Sequence, residues 1–340
     1  MILLHRASGL GLMALLGSAC AEQSMTDQSS GNDLGGLTPS FLVAGASSAI
    51  GFEPLESGVW YVPGTIHGQD DWLSFGPYDH KVTGNTYGYT SFELQSLRIS
   101  NAVTSGSFGD HTFSKRTPNY AGEITSDCAT WCLPGGTRQS HFEAEWDFAS
   151  TVPGAEQPGL SVVASPDRGD GSRMSWVQMT DTPTGLDINF FDVQGTSDPA
   201  NFVGPTNIAT GLSRTGPHTI KITMDLLEGP SNDIVKVYVD GTLRHTGTSW
   251  ENYFRFDSEA QAGHAGNPPI VNRILFRTGG AAAPATSGNG FVIDNLSLGT
   301  SNVATAKEAC MNGGWQSLVR ADGSSFKNQG DCIQYVNTGK

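Results

Sequence analysis

Short runs of Val, Ile, Phe and Tyr, each about the length of one β-strand, recur along most of this 340-residue chain between Gly, Asn, Asp and Pro. Apolar residues that alternate over such short runs are typical of strands that bury one face, and the residues between them are those that tight turns require. The sequence shows no internal repeat, no long helix and no βαβ spacing. It therefore predicts an all-β sandwich of two antiparallel sheets between residues 41 and 300.

Two segments show the pattern most clearly. Strands are predicted at 218–225 and 234–240, and Asp240-Gly241 then forms a hairpin turn because Gly accepts a positive φ. The second segment is QSHFEAEWDF at 139–148, in which apolar and titratable residues alternate. Successive side chains of a strand point to opposite faces. We expect the apolar set to face the core, and it comprises Phe142, Ala144, Trp146 and Phe148.

The N-terminus has the features of a signal peptide. Arg6 is followed by an apolar stretch from 10 to 16, and Ala19-Cys20-Ala21 is an A-x-A-like cleavage site. Residues 1–21 are therefore predicted to direct export, and the polar residues 22–40 to form a flexible linker. Lipidation of Cys20 is the alternative, which would anchor the protein to a membrane. No later apolar run is long enough to predict a transmembrane segment.

The charge of the chain restricts its partners. The formal net charge is -14, and removal of residues 1–21, which contain one Arg and no acid, makes it -15. Nucleic acids and anionic membranes are disfavoured, because binding them requires Lys and Arg to displace counterions from phosphate. Acidic polysaccharides are disfavoured less strongly, since one local basic patch could offset the mean charge.

Four of the five cysteines remain after residue 21, and an even number in an exported protein favours two disulfides. Proximity in the sequence suggests Cys128 with Cys132 and Cys310 with Cys332, which is one of three pairings. Residues 304–340 are predicted to form a separate small module, which is too short to bury a large core and depends on its bridge.

Three stretches resemble the concanavalin A-like lectin/glucanase jelly roll: GFEPLESG at 51–58, the double strand and hairpin at 218–247, and GNGFVIDNLSL at 288–298. This fold is shared by legume lectins, laminin G modules, family 16 glycoside hydrolases and family 7 alginate lyases. The tail, CMNGGWQSLVRADGSSFKNQGDCIQYV, resembles a short cysteine-bracketed module at the C-termini of exported bacterial proteins. The resemblance implies a polysaccharide or other glycan as partner, and one fold hosts many activities.

A hydrolase is the first implied activity. Glu143, Glu145 and Asp147 resemble the E-x-D-x-E strand of family 16 hydrolases, with Asp and Glu exchanged at two positions. By that resemblance Glu143 is the nucleophile, Glu145 the assisting residue and Asp147 the acid/base, with His141 beside them. Carboxyl groups on one strand face lie about 7 Å apart and repel, which separates a proton donor from a carboxylate. Both retaining and inverting chemistry stay open.

A uronate lyase is the second implied activity. Gln139-Ser140-His141 resembles the Q-I-H triplet of family 7 alginate lyases, with Arg98 upstream and Tyr238 downstream. The resemblance implies that Gln139 and Arg98 neutralise the uronate carboxylate, while His141 and Tyr238 transfer protons. The third alternative is a carbohydrate-binding or matrix protein without catalysis, since a polar strand face is often only the solvated side of a sheet.

Two further sets of residues are candidates for binding. Trp131, between two cysteines, and Trp250, in a polar loop, are predicted to stack on sugar rings, whose C–H faces are apolar. Glu53 and Asp294 lie on the predicted first and last strands, where jelly rolls of this type hold a structural calcium. Zinc and nucleotides are not expected, because no ligand-spaced His or Cys pairs and no phosphate-binding loop occur.

Overall fold

The computed structural model describes residues 46–54, 58, 60–123, 138–264, 270–304, 307–320 and 323–340. Cys128, Cys132, Trp131 and the predicted signal peptide and linker lie outside these residues.

The described residues form twenty strands and four α-helices. The strands of the first half are β1 Ala46–Ile50, β2 Gly64–Thr65, β3 Leu73–Phe75, β4 Asp79–Gly84, β5 Gln95–Ser100, β6 His111–Phe113, β7 Tyr120–Gly122, β8 Arg138–Gln139, β9 His141–Ser150 and β10 Ser161–Asp167. Those of the second half are β11 Val177–Thr182, β12 Gly185–Gln194, β13 Asn201–Leu212, β14 His218–Asp225, β15 Ile234–Val239, β16 Thr242–Gly247, β17 Ile270–Val271, β18 Arg273–Thr278, β19 Phe291–Val303 and β20 Leu318–Val319. The helices are α1 Glu251–Phe256, α2 Ser258–His264, α3 Lys307–Cys310 and α4 Gln329–Thr338.

The strands form two large sheets and one small one. The ten-stranded sheet has the order β16-β15-β14-β9-β19-β5-β4-β2, with β1 and β20 also paired to β19. The seven-stranded sheet has the order β13-β12-β11-β10-β18-β6-β3, and β17, β7 and β8 form the small sheet. Every pairing within the seven-stranded sheet is antiparallel. The predicted all-β sandwich of two antiparallel sheets is confirmed.

The core lies between the two large sheets. The apolar side of β9 is fully buried, as the alternation in the sequence predicts. Trp146 of β9 meets Phe276 of β18 edge-on, with ring centroids 6.0 Å apart, so aromatic side chains from both sheets interdigitate. Asp240 and Gly241 both have positive φ and connect β15 to β16, which confirms the predicted hairpin turn.

We call the described residues from 304 to 340 the C-terminal module, and they include α3, α4 and β20. The predicted disulfide between Cys310 and Cys332 is present, with a Cα–Cα distance of 5.8 Å. Around it lies a separate small apolar cluster of Ala304, Cys310, Leu318, Phe326 and Cys332. The module is joined to the end of β19, because β20 pairs with it in parallel. It therefore lies against the ten-stranded sheet.

Candidate functional site

The outer face of the ten-stranded sheet carries the titratable residues of β9. The register with β14 places His141 opposite Asp225, Glu143 opposite Thr223 and Glu145 opposite Lys221. The apolar residues between them point into the core, so the predicted alternation of the two sets is confirmed. A common face is only the first requirement of a catalytic site, since a substrate must also reach it.

The C-terminal module closes one end of this face. His141 is fully buried and Glu143 is 1% exposed. The Lys221 Nζ lies 2.6 Å from Glu143 Oε2, and His141 Nδ1 lies 2.7 Å from Asp225 Oδ1. Gly323 of the module packs so closely that a Cβ at that position would overlap Glu143 Oε2. A substrate therefore has no access to His141 or Glu143, which conflicts with the catalytic roles predicted for these two residues.

The segment before β5 covers the other end of β9. Tyr89 and Phe92 pack with Ala149 and Val292, and the Tyr89 hydroxyl donates to the Ser150 carbonyl at 2.6 Å. Only the middle of β9, at Glu145 and Asp147, is half-exposed. The uncovered part of the predicted catalytic face is a narrow strip.

Glu145, in the middle of this strip, has a strongly shifted pKa. Burial raises the pKa of Glu145 to about 7, opposed by the Lys221 ammonium and reinforced by the Glu143 and Asp147 carboxylates. Asp147 instead accepts hydrogen bonds from the Thr219 hydroxyl at 2.5 Å and the Asn295 amide at 2.9 Å. The two neighbouring carboxyls thus have different surroundings, and both lie in a confined space.

The residues predicted for a lyase do not come together. Tyr238 is opposite Lys221, four residues along the sheet from the Asp225–His141 pair and two strands away from His141. At about 3.3 Å per residue and 4.8 Å per strand, this separates Tyr238 from His141 by roughly 16 Å. One sugar ring cannot touch both, because proton transfer requires hydrogen-bonding distance at each residue. The proton-transfer pair of the lyase alternative is therefore not formed.

The carboxylate-neutralising residues predicted for the lyase are also occupied elsewhere. Arg98 is opposite Val292, which is opposite Ala149, so it lies roughly 26 Å along the strands from the level of His141. Its guanidinium is buried and bound to both oxygens of Asp79, at 2.7 and 2.9 Å. Gln139 is 9% exposed and belongs to the small sheet. Arg98 acts as an internal ion-pair partner, which corrects its predicted role.

The predicted calcium residues have local roles. β1 and β19 are neighbours, as expected for the first and last strands. Glu53 Oε1 accepts hydrogen bonds from the backbone of Leu94 and Gln95, and Asp294 Oδ1 accepts one from the Asn295 backbone. Calcium between Glu53 and Asp294 stays a prediction.

A different trio of acids could hold a cation. The carboxylates of Glu123, Asp233 and Glu251 lie within 4.8 Å of one another, and all three residues are buried. Arg255 bonds to Glu123 and Glu251 and supplies one positive charge against three negative ones. Burial raises the pKa of Asp233 to about 7, with a further contribution from Glu251. A proton on Asp233 is thus one way in which this trio lowers its charge.

The outer face of the seven-stranded sheet has a different character. A cavity of about 650 Å³ lies over it, and we call it the aromatic cleft. Trp176 and Trp250 stack with centroids 5.5 Å apart, and Phe202 meets Trp250 edge-on at 5.0 Å. The aromatic residues that line the cleft are Phe108, Trp176, Phe191, Phe202, Trp250, Tyr253 and Phe254.

The sequence of β18 shows why the neighbouring wall is basic. Phe276 points into the core against Trp146, so Arg277, the next residue, points outward. A second cavity of about 480 Å³ adjoins the aromatic cleft, because Phe108 and Trp176 line both. Arg277 and the segments 104–106 and 280–282 complete its lining, and we call it the arginine pocket. The guanidinium carbon of Arg277 lies 4.4 Å from the ring centroid of Phe108 and 5.4 Å from that of Trp176.

Of the predicted binding residues, Trp250 lines the aromatic cleft. Its indole N–H donates to the Phe191 carbonyl at 2.8 Å, which fixes the plane of the ring. Trp131 lies outside the described residues. Trp176 and Arg277 were not among the predicted residues, although each alternates with a core residue in a strand or directly before one. That alternation was the available signal for an outward-facing aromatic and an outward-facing cation.

No family model matches the chain. No curated protein matches it either. Several solved structures are similar in fold. They include a sialidase at 14% identity, covering 71% of this chain and 17% of the sialidase, with a TM-score of 0.35. An alginate lyase from Pseudomonas aeruginosa matches at 10% identity over 61% of this chain and 83% of the lyase, with a TM-score of 0.34. The lectin-like arcelin-5 from Phaseolus vulgaris matches at 11% identity over 76% and 99%, with a TM-score of 0.35.

This chain thus spans less than a fifth of the sialidase's own length. At such TM-scores these similarities say nothing about what the chain binds. Among the described residues, no helix is long and apolar enough to cross a membrane.

Proposed function

We propose that this chain is an exported protein that binds a polysaccharide in the aromatic cleft over the seven-stranded sheet. The observation that carries the proposal is a cavity of about 650 Å³ whose lining includes the exposed rings of Phe108 and Phe202, backed by the buried, stacked pair of Trp176 and Trp250. Sugar rings present apolar C–H faces that stack on aromatic side chains, and a volume of this size admits a few sugar rings. The signal-peptide features of residues 1–21 support export.

The exposed members of the cleft allow a test that spares the fold. Phe108 is 60% exposed and Phe202 is 45% exposed, so Phe108→Ala and Phe202→Ala remove little buried surface. Trp60 is 65% exposed and does not line the cleft, which makes Trp60→Ala a matched control. Each protein is incubated with insoluble cellulose, chitin and xylan, and with immobilised alginate, pectate and galactan.

We expect the wild-type protein to bind at least one of these polysaccharides. Phe202→Ala and Phe108→Ala should each weaken that binding about ten-fold, which corresponds to ~1.4 kcal/mol, whereas Trp60→Ala should bind like the wild type. Unchanged binding by both cleft variants, or no binding to any polymer by the wild-type protein, refutes the proposal.

Hydrolysis is a second candidate function, favoured by one observation. The pKa of Glu145 at about 7 suits a proton donor at neutral pH, and Asp147 lies two residues away on the same face. This activity predicts release of reducing sugar from a neutral glucan or galactan that disappears in Glu145→Gln. Binding to the same polymer with no product, from the wild-type protein, removes the hydrolase and leaves the binding protein.

A further inference from the structure

Two arginines beside the aromatic cleft have no carboxylate partner among the described residues. Arg173 and Arg277 take part in none of the ion pairs found there. Their guanidinium carbons lie 5.2 Å and 4.4 Å from the centroid of the same ring, Phe108. The two charges are therefore no more than about 10 Å apart, well inside the range of strong repulsion in a poorly solvated site. Such an arrangement is unfavourable unless an anion compensates it.

The hydrogen bonds of the two arginines go to neutral groups. Arg173 donates to the carbonyls of Gly171, at 2.9 Å, and of Phe108. Arg277 donates to the carbonyl of Ser107 at 3.3 Å, and its Nε has no partner in the described part of the chain. Arg277 is 5% exposed, so this N–H is buried as well as unpaired. A buried N–H without an acceptor costs free energy, which a bound acceptor would recover.

The acids nearby attract the two arginines without pairing with them: Asp110 acts on Arg277 in this way, and Asp167 and Asp170 act on Arg173. Asp110 is bound to the hydroxyls of Thr104 and Ser105 and to the backbone of Ser105. Asp257 and Glu259 line the aromatic cleft but not the arginine pocket. No acid occurs among the residues that line the arginine pocket. The protein has a formal net charge of -14, so the positive charge of this pocket is opposite in sign to that of the whole chain.

We infer that the arginine pocket binds the anionic substituent, a carboxylate or a sulfate, of a polysaccharide whose sugar rings lie in the adjoining aromatic cleft. This inference rests on the proposed function and names the class of its ligand. Guanidinium groups bind both oxyanions through two parallel N–H donors, and Phe108 and Trp176 hold sugar and charge at adjacent positions. Burial lowers the pKa of Arg277 to about 10, which leaves the side chain charged at neutral pH.

The test compares anionic polymers with neutral ones on the same biosensor surface. The probes are polygalacturonate and alginate for carboxylates, a sulfated galactan for sulfate, and neutral galactan and β-glucan as counterparts. Arg277→Met removes the charge and Arg277→Lys keeps it. Arg244→Met removes the same charge from the exposed strand β16 in the other sheet and serves as the matched control. Arg173→Gln is the second arginine variant, at a half-buried residue that lines the adjoining aromatic cleft, and thermal melts verify folding of all four.

We expect tighter binding to at least one anionic polymer than to its neutral counterpart, weakening as salt is raised. Arg277→Met and Arg173→Gln should each weaken that binding ten-fold or more without affecting neutral polymers, Arg277→Lys should lie between, and Arg244→Met should match the wild type. The polymer bound, uronate or sulfated, identifies the substituent.

The inference is overturned if neutral polymers bind as tightly as anionic ones. It is also overturned if Arg277→Met and Arg173→Gln weaken the binding of neutral and anionic polymers equally. In that case loss of binding in Phe202→Ala would still support the polysaccharide cleft. Retention of binding in Phe202→Ala and Phe108→Ala would instead remove the proposed function itself.

Discussion

Replacing Glu143 by Gln distinguishes a structural role of β9 from a catalytic one. Glu143 and Lys221 form an ion pair at 2.6 Å with side chains 2% and 7% exposed, beneath Gly323 of the C-terminal module. Glu143→Gln takes the bonded counter-charge from the buried Lys221 ammonium and leaves Glu145 as its acidic neighbour on β9. Breaking a buried pair in this way costs about 3 to 5 kcal/mol, far more than loss of an exposed pair. We therefore expect Glu143→Gln to lower the free energy of unfolding by that amount.

The measurement is urea unfolding at pH 7, followed by tryptophan fluorescence, for the wild type, both single variants and Glu143→Gln/Lys221→Met. Lys221→Met should destabilise the protein by a similar amount, because it leaves the Glu143 carboxylate buried without the Lys221 ammonium. The double variant should lie within about 1.5 kcal/mol of the wild type, since it removes both charges of the pair together. The slope of free energy against urea should stay constant, which shows that the same surface unfolds.

A loss below 1 kcal/mol in Glu143→Gln would refute this reasoning, because it would mean that water reaches the pair and that the module does not close this end of the sheet. A stable Glu143→Gln that has lost polysaccharide hydrolysis would go further and restore Glu143 as a catalytic residue.

Three other predictions follow from the same structure. The raised pKa of Glu145 means that the folded state holds this proton more tightly than the unfolded chain, so stability should fall as pH rises from about 4.5 to about 7. Glu145→Gln should flatten this part of the plot of urea midpoint against pH. An unchanged plot would contradict the raised pKa. The raised pKa of Asp233 likewise makes stability fall as pH rises from about 4 to about 7. Asp233→Asn should therefore raise the melting temperature more at pH 8 than at pH 4.5. An equal effect at both pH values would show that the Asp233 proton is not involved. Removing the disulfide with Cys310→Ser/Cys332→Ser should lower the stability of the module by about 3 kcal/mol, because the bridge closes a loop of 22 residues. This loss should be seen as early proteolysis after residue 304 while the sandwich stays intact. A variant module as resistant to protease as the wild type would show that packing alone holds it.

The strands of the sandwich were predictable because each depends on local alternation. The prediction of 218–225 agrees with β14, and the apolar side of β9 faces the core as expected. Short edge strands such as β2 and β3 were not predicted, because two or three residues carry no period. Strand β13 was also missed, since at the edge of the sheet its residues are mostly exposed and its alternation is weak.

The candidate site was less predictable, because it depends on contacts between distant parts of the chain. The catalytic roles predicted for the polar face of β9 require access to that face. Packing of Gly323, which comes 180 positions after Glu143, closes the face at Glu143. The arginine pocket joins Phe108, Trp176 and Arg277, which come from three separate segments. Alternation shows that Trp176 and Arg277 point outward, but no local pattern shows that they meet. Trp250 was identified because its polar surroundings in the sequence mark an aromatic residue at a loop.

Hydrogen exchange of the wild-type protein, with and without a polysaccharide fragment that it binds, tests the location of the site most directly. Ligand in the aromatic cleft and arginine pocket should slow exchange in residues 104–110, 171–177 and 199–203 and leave 139–148 unchanged. Slower exchange in 139–148, accompanied by faster exchange in 318–327 as the C-terminal module gives way, would contradict this location and return the site to β9.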